Sequence, residues 1–492
     1  MLGALLQLWN IANAQVNPAP AMDTVVDHAV LPLTQDQPWV GFSVGVVKDG
    51  QIYRFNYGRT AKDKDEVPSE HTLYELGSVT KTFTSIILAN AVLEKKVSLD
   101  DDIRRYLKGD YPNLEYNGKP IRLLHLVNLT SSLPNNMPDI SSLKRSDSIF
   151  YAVVKLNEHY GREDFFRDLH SVKLDTVPGL VPRHSNAAAE LLGFILENVY
   201  QTSYEALVKK YITGPLKMEH TYLTVPADQS ALLAKCYNEK GLTQPYIIPN
   251  AGAAGGMKSC MDDMVRYVSF QLDENNAAVK MTHQVAWGDV NTFALGLNWF
   301  MGTFDGKRQV RMDGTTFGFT SYCLLYPDLH FGVFLMTNEC ASNSTIQDKL
   351  AGIAKNIFEE NYYTAAERSS DGFGFSPSIN LLVSELNKRG FDHASDVAAE
   401  LAKSRPTFKL DENETNIWAY ALMRKGKKVE ALEIFKLNTG LHPDSWNAYD
   451  SEAEGYENVG DTNNAIKFYN RSLELNPQNT NAVEQLKRLK AN

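Results

Sequence analysis

Cysteine is scarce in this chain: four residues in 492, Cys236, Cys260, Cys323 and Cys340. None forms a Cys-x-x-Cys pair or stands with His at metal-ligand spacing, so they read as buried thiols and not as a disulfide framework or a zinc site. Positive charge is also in short supply. Lys and Arg number 49 against 59 Asp and Glu, a formal net charge of −10, and the lack of a basic cluster argues against a nucleic-acid or anionic-membrane surface. Beyond the first residues no stretch is long and apolar enough to span a bilayer. No glycine-rich phosphate loop precedes a helix, so no cofactor is implied. His125 and His220 lack ligand partners at useful spacing and read as surface or hydrogen-bonded histidines, leaving no metal site.

What remains is ample for a folded core: 43% hydrophobic and 22% charged residues, the balance of a globular protein. The length exceeds one ordinary domain and implies a large domain with a smaller appendage. Residues 1–14 hold an apolar run that ends in Ala12-Asn13-Ala14, the small-x-small pattern of a secretory leader, though without a basic start. Export to a periplasmic or extracellular space is the expectation. Two β-rich runs flank Lys48-Asp49-Gly50 as a hairpin, and late strands are expected at 308–311, 320–326 and 331–337, the last two joined by a turn at Asp328 and Leu329. Strands at both ends with helices between them predict an α+β fold, an antiparallel sheet flanked by helices with a helical lobe inserted. This main domain is placed at 22–362. A turn-rich linker follows at 363–378.

From 379 to 492 the chain is helical and repeats. Gly426 and Gly460, Ala431 and Ala465, Phe435 and Tyr469, and Pro443 and Pro477 are each 34 residues apart, a period that resembles the tetratricopeptide (TPR) repeat. Two units are clear and 381–406 suggests a degenerate third. Since about three stacked units make an independent core, the tail is expected to lean on the main domain. It reads either as a groove for a protein partner or as a structural cap.

The sharpest chemical signal is Ser78-Val79-Thr80-Lys81. Apolar residues at Val79, Phe83, Ile86, Ile87 and Leu93 continue at helical spacing, so an amphipathic helix is expected with Ser78 in its first turn. Residues i and i+3 then lie about 5–6 Å apart at Cβ, within reach of a hydroxyl-to-amine hydrogen bond. The helix N-terminus favours an oxyanion beside Ser78 and a neutral Lys81, which suits a serine nucleophile activated by a lysine base. A second Ser-x-x-Lys, Ser141 to Lys144, lies in a polar stretch without periodicity and reads as a surface turn. Glu75, just before the nucleophile, reads as a surface or capping carboxylate.

Further landmarks follow in order. Leu76-Gly77-Ser78-Val79-Thr80-Lys81-Thr82-Phe83 and Val97-Ser98-Leu99-Asp100-Asp101 are succeeded by Ile121-Arg122-Leu123-Leu124-His125-Leu126 and Thr130-Ser131-Ser132-Leu133-Pro134. Pro215-Leu216-Lys217-Met218-Glu219-His220-Thr221 and Gly255-Gly256-Met257-Lys258-Ser259-Cys260-Met261-Asp262-Asp263 come next. Jointly, over some 300 residues, they resemble the serine β-lactamase-like superfamily, nearest in texture to class C β-lactamases, D-amino-acid peptidases and carboxylesterases. Leu129 and Ser132 stand where the resemblance has His and Gly. Its Tyr-x-Asn motif falls at His184-Ser185-Asn186, which implies that Asn186 orients substrate and contacts the lysine. His184 replaces the tyrosine, and an imidazole can pass protons between Ser78, Lys81 and a leaving group, or relieve Lys81 as the base. The third motif, Lys-Thr-Gly or His-x-Gly in relatives, falls at Met312-Asp313-Gly314, ahead of Gly318-Phe319-Thr320-Ser321. Methionine removes the cation that would receive a substrate carboxylate. Asp313 suits a cationic or hydroxyl-bearing group, or else faces outward. By position, the Thr315 amide joins that of Ser78 as an oxyanion hole.

Two function classes follow. One is a serine hydrolase or acyltransferase that forms an acyl-enzyme on Ser78 with a small ester or peptide-like amide, with little β-lactamase activity because the cation is lost. The other is a catalytically silent protein that binds a ligand or partner on the same fold.

Overall fold

A computed structural model describes residues 21–36, 40–144, 146–247, 252–290, 293–341, 345–368 and 375–491. The expected leader at 1–14 and much of the expected linker, 369–374, lie outside the described residues. The chain divides into two compact units, 1–303 with 307–361 and 304–306 with 362–492.

Among the described residues of the first unit, eight strands form one sheet. They are β1 Phe42–Lys48, β2 Gln51–Tyr57, β3 Trp287–Asp289, β4 Phe293–Leu295, β5 Phe300–Phe304, β6 Lys307–Thr315, β7 Thr320–Tyr326 and β8 Phe331–Thr337, in the order β2-β1-β8-β7-β6-β5-β4-β3. The N-terminal hairpin turns at Asp49 and Gly50, both with positive φ (50° and 79°), the conformation that a two-residue hairpin with native twist demands. β1 then pairs antiparallel with β8, Phe42 opposite Thr337, so early and late segments share the sheet's centre. Strands β3 to β5 escape sequence reading because runs of three to five residues are too short to display a period. β6 runs past the expected 308–311 to Thr315 and carries the third motif on its end.

Helices cover the sheet. Met261–Gln271 lies against β1 and β8 at close range: a methyl group at Gly45 would sit 2.4 Å from Val265 Cγ1, and one at Gly332 would sit 2.5 Å from Val268 Cγ1. Elsewhere Phe358 of Thr345–Tyr362 stacks on Tyr326 at 3.8 Å, and Tyr57 donates to Asp27 of Met22–Asp36 at 2.7 Å.

The nucleophile's helix, Thr80–Leu93, is not amphipathic as expected. Thr80, Lys81, Thr82, Thr84 and Ser85 are as inaccessible as Phe83, Ile86 and Ile87, while Leu93 is exposed. The helix is central, and its polar side consists of short hydroxyls that bond internally. Thr82 meets the Tyr267 hydroxyl at 2.8 Å and Thr84 that of Tyr204 at 2.7 Å, which offsets the cost of burying them. The second Ser-x-x-Lys is an exposed turn at Ser141 and Ser142, and all four cysteines are buried and free.

The second unit is helical. Helices start at Pro377, Ala394, Glu412, Lys428, Trp446, Thr462 and Thr480, and from residue 412 onward alternate helices begin 34 residues apart. Ala431, Phe435, Ala465 and Tyr469 are buried, and Gly426 and Gly460 take positive φ between helices. The segment at 381–406, read as a degenerate unit, holds a helix pair.

Leu129 and Ser132 both adopt left-handed backbone, φ 62° and 63°, which costs a non-glycine residue about 1–2 kcal/mol. The buried Ser132 hydroxyl has no hydrogen-bond partner among the described residues. Ser132→Gly should therefore raise stability by about 0.5–1 kcal/mol, read as a higher denaturant midpoint at unchanged slope.

Candidate active site

Ser78 sits in a 3₁₀ turn, Gly77–Val79, that leads into the buried helix. The turn is clamped from both sides: Leu76 N donates to Met257 O at 2.9 Å and Ser321 Oγ donates to Leu76 O at 2.8 Å. Gly77 has φ 55°, and a methyl group there would meet Thr315 N at 2.5 Å. A methyl group at Gly314 would meet Leu76 O at 2.0 Å and Ser78 N at 3.0 Å. Two glycines thus bring the end of β6 against the nucleophile turn. Glu75 is buried here, contrary to its reading as a surface carboxylate. Its Oε1 accepts Ile247 N at 2.8 Å, and burial raises its carboxyl pKa against the pull of Lys258.

Lys81, fully buried, directs Nζ to three acceptors: Ser78 Oγ at 2.8 Å, Asn186 Oδ1 at 2.9 Å and Ala254 O at 2.6 Å. Burial lowers the amine to about 7, with Glu190 and Asp313 pulling the other way. A neutral amine has two hydrogens for three partners, so its lone pair can face the Ser78 hydroxyl.

Asn186 opens the helix Asn186–Tyr200, which Ser185 caps by accepting Ala188 N at 3.0 Å. The preceding loop holds this start in place. Asn135 O accepts the amides of Asn186 and Ala187, and Asn136 Oδ1 accepts Asn186 Nδ2 at 3.0 Å. His184 Nδ1 bonds Asn135 Oδ1 at 2.7 Å. Because that oxygen only accepts, Nδ1 carries the hydrogen and Nε2 is left with a lone pair. Among the described residues His184 makes no hydrogen bond to Ser78 or Lys81, although it lines the same cavities as Ser78. Crowding by protein atoms, and then the Lys81 charge, lower its ring to about 4. The ring's Nε2 lone pair is thus the one available for proton transfer.

Asp313 faces inward, lining cavities on both sides of Ser78. Burial raises its carboxyl pKa, opposed by Arg311 and Lys81. Met312 borders the smaller cavity, of about 90 Å³. Thr316 N donates to Phe319 O at 2.9 Å across the β6–β7 turn, so by alternation the Thr315 amide points to the strand's opposite edge. Its hydroxyl accepts Gln347 Nε2 at 2.5 Å. Ser78, Lys81, His184, Asn186, Asp313, Gly314 and Thr315 are thus brought to one site.

Sequence reading missed Glu190, Asn135, Asn136 and the Ala254 carbonyl. Glu190 is one helical turn past Asn186, a spacing that could have exposed it. It lines the larger cavity with Ser78 and accepts Ala254 N at 3.2 Å, the residue whose carbonyl holds Lys81. Burial lifts its carboxyl to about 8, against the Ala254 amide and Lys81. The Ala254 contact depends on the tertiary fold and has no local signature.

A serine hydroxyl paired with a buried lysine, between an antiparallel sheet and a helical lobe, defines a serine acyl-transfer fold. Residues 26–354, two thirds of the chain, match the family model described as Beta-lactamase, and the chain belongs to that family. A beta-lactamase of Pseudomonas fluorescens is 28% identical over 305 residues, covering 59% of this chain and 78% of that protein. Protein flp of Staphylococcus aureus (strain MRSA252) is 28% identical over 330 residues, covering 64% of this chain and 62% of that protein. The solved structure of a class C beta-lactamase is similar with a TM-score of 0.58 at 25% identity, over 69% of this chain and 96% of that one. The family carries serine-hydrolase chemistry in general, through an acyl-enzyme.

If the neutral Lys81 activates Ser78, covalent labelling of Ser78 by a fluorophosphonate should accelerate as pH rises through about 7. Burial keeps Glu190 largely protonated at that pH, so Glu190→Gln should leave this rise nearly in place. Labelling rate against pH for both proteins checks it.

Proposed function

We propose that this protein is a serine hydrolase or acyltransferase acting on an ester or amide, and a poor β-lactamase. The observation that carries the reading is the 2.8 Å contact between Lys81 Nζ and Ser78 Oγ, with Nζ held by two further acceptors. Ser78 Oγ bonds the substrate carbonyl carbon while its proton passes to Lys81. The carbonyl oxygen becomes an oxyanion before the amides of Ser78 and Thr315, an arrangement worth several kcal/mol when preorganised. As the carbonyl re-forms, the leaving alcohol or amine departs with the proton from Lys81, relayed by His184 Nε2. Water or another nucleophile then repeats the sequence and releases the acyl group. Asn186 orients substrate, and Asp313 and Gly314 border it.

Met312, where relatives place a cation, supports weak handling of a β-lactam carboxylate. The same residue, with His184, also motivates the second reading, a silent binding protein. Export to a periplasmic or extracellular space belongs to the proposal, as does a TPR-like tail that binds a protein partner or caps the fold.

A fluorophosphonate should label the wild type and leave Ser78→Ala unlabelled; equal labelling of both refutes the enzyme reading. Ser78-dependent turnover of any activated ester removes the silent alternative. Nitrocefin should be hydrolysed far below enzyme-like rates, and a fast absorbance change would overturn that part.

His184→Phe should lower kcat/KM by about 10²-fold, the scale of a lost proton relay, while His184→Tyr retains part of the activity. Unchanged kcat/KM in His184→Phe would exclude the relay.

A further inference from the structure

The larger cavity beside Ser78 has a volume of about 670 Å³ and a lining that is apolar over most of its extent. Helix Ile149–Asn157 contributes Phe150 and Val153, and the ring of Phe150 stacks on Phe317 at 4.7 Å. Phe165 and Phe194 meet edge to face at 5.3 Å in the same lining. Charge inside it is sparse. Among the described lining residues Arg162 is the sole Lys or Arg, and it is committed to Glu197 at 2.6 Å and Asn198 at 2.9 Å while lying over the Phe194 ring. The acids are Glu190 and Asp313. An anionic substituent would meet two carboxyl groups and no free cation here, and a short polar acyl group would leave the aromatic surface wet.

We infer that this site is shaped for an uncharged, extended apolar acyl group, carried by an ester and laid along Phe150, Val153 and Phe317 while its carbonyl carbon meets Ser78. The inference rests on the acyl-enzyme reading above. In the acylation step the Ser78 oxygen bonds the acyl carbon, the ester C–O bond breaks, and the alcohol leaves with the proton that Ser78 gave up. Water then cleaves the acyl-enzyme and releases the carboxylic acid. Neither half-reaction needs an oxidant or a further co-reactant. Each methylene buried in such a cleft gains roughly fourfold in binding, and the gain appears in kcat/KM when it is kept in the transition state.

The test is a series of p-nitrophenyl acetate, butyrate, octanoate and laurate with the full chain, each with Ser78→Ala as blank. Octanoate should exceed butyrate by at least about tenfold in kcat/KM. Val153→Phe, which fills the cleft away from the reacting atoms, should remove most of that gain, so that the octanoate-to-butyrate ratio of kcat/KM falls toward one. Phe150→Asp serves the same purpose if the first variant does not fold, since Phe150 is only half-buried. Ser78-dependent hydrolysis that is flat or falling from acetate to octanoate overturns this inference and spares the acyl-enzyme reading. No Ser78-dependent turnover of any ester overturns both. A parallel incubation with phosphatidylcholine vesicles assigns the acyl source. Fatty acid released from the vesicles supports the inference with a bilayer lipid as donor, and none released beside octanoate turnover supports it with a soluble ester.

Discussion

The structure turns on one buried amine. An ammonium removed from water without partners costs several kcal/mol, and Lys81 avoids that by meeting three oxygens drawn from three parts of the chain: the turn before its own helix, the helix that Asn186 opens, and the backbone at Ala254. None of the three is close to another in sequence. The amine therefore acts as the point where the fold closes, and its proton affinity is set by the closure itself. Burial brings it to about 7, close to neutrality.

Around that amine the departures from the family pattern form a consistent set. An imidazole at 184 brings a second nitrogen base, tied to Asn135 through Nδ1 and lowered by the protein around it and by the Lys81 charge. Methionine at 312 and aspartate at 313 turn the third motif from a cationic to an acidic one. Glu190 adds a further acid one helical turn from Asn186. Burial raises the pKa of both acids, and they face a lining that is otherwise largely apolar.

Much of this was legible before any coordinates. The Asp49-Gly50 turn requires two positive φ values that few other dipeptides accept, and the hairpin formed there. Ser78 and Lys81 announced themselves because an i, i+3 pair is local and survives any tertiary arrangement. The Ala254 carbonyl that holds Lys81 and the Asn136 side chain that holds Asn186 did not, since main-chain carbonyls and loop amides carry no periodic signal. The nucleophile's helix was read as two-sided because Thr and Ser count as polar in a pattern, while in the fold their hydroxyls bond to Tyr204 and Tyr267 and can be buried. Glu75 failed for a related reason: a carboxylate beside a nucleophile looks solvated until the backbone of Ile247 is seen to hold it.

Asn135 serves two neighbours through different atoms. Its carbonyl fixes the start of the Asn186 helix, whereas its side chain alone engages residue 184. The helix start and the imidazole are held by separate atoms of one residue. The main-chain bonds that seat Asn186, and through it the lysine, are consequently independent of the side chain at 184.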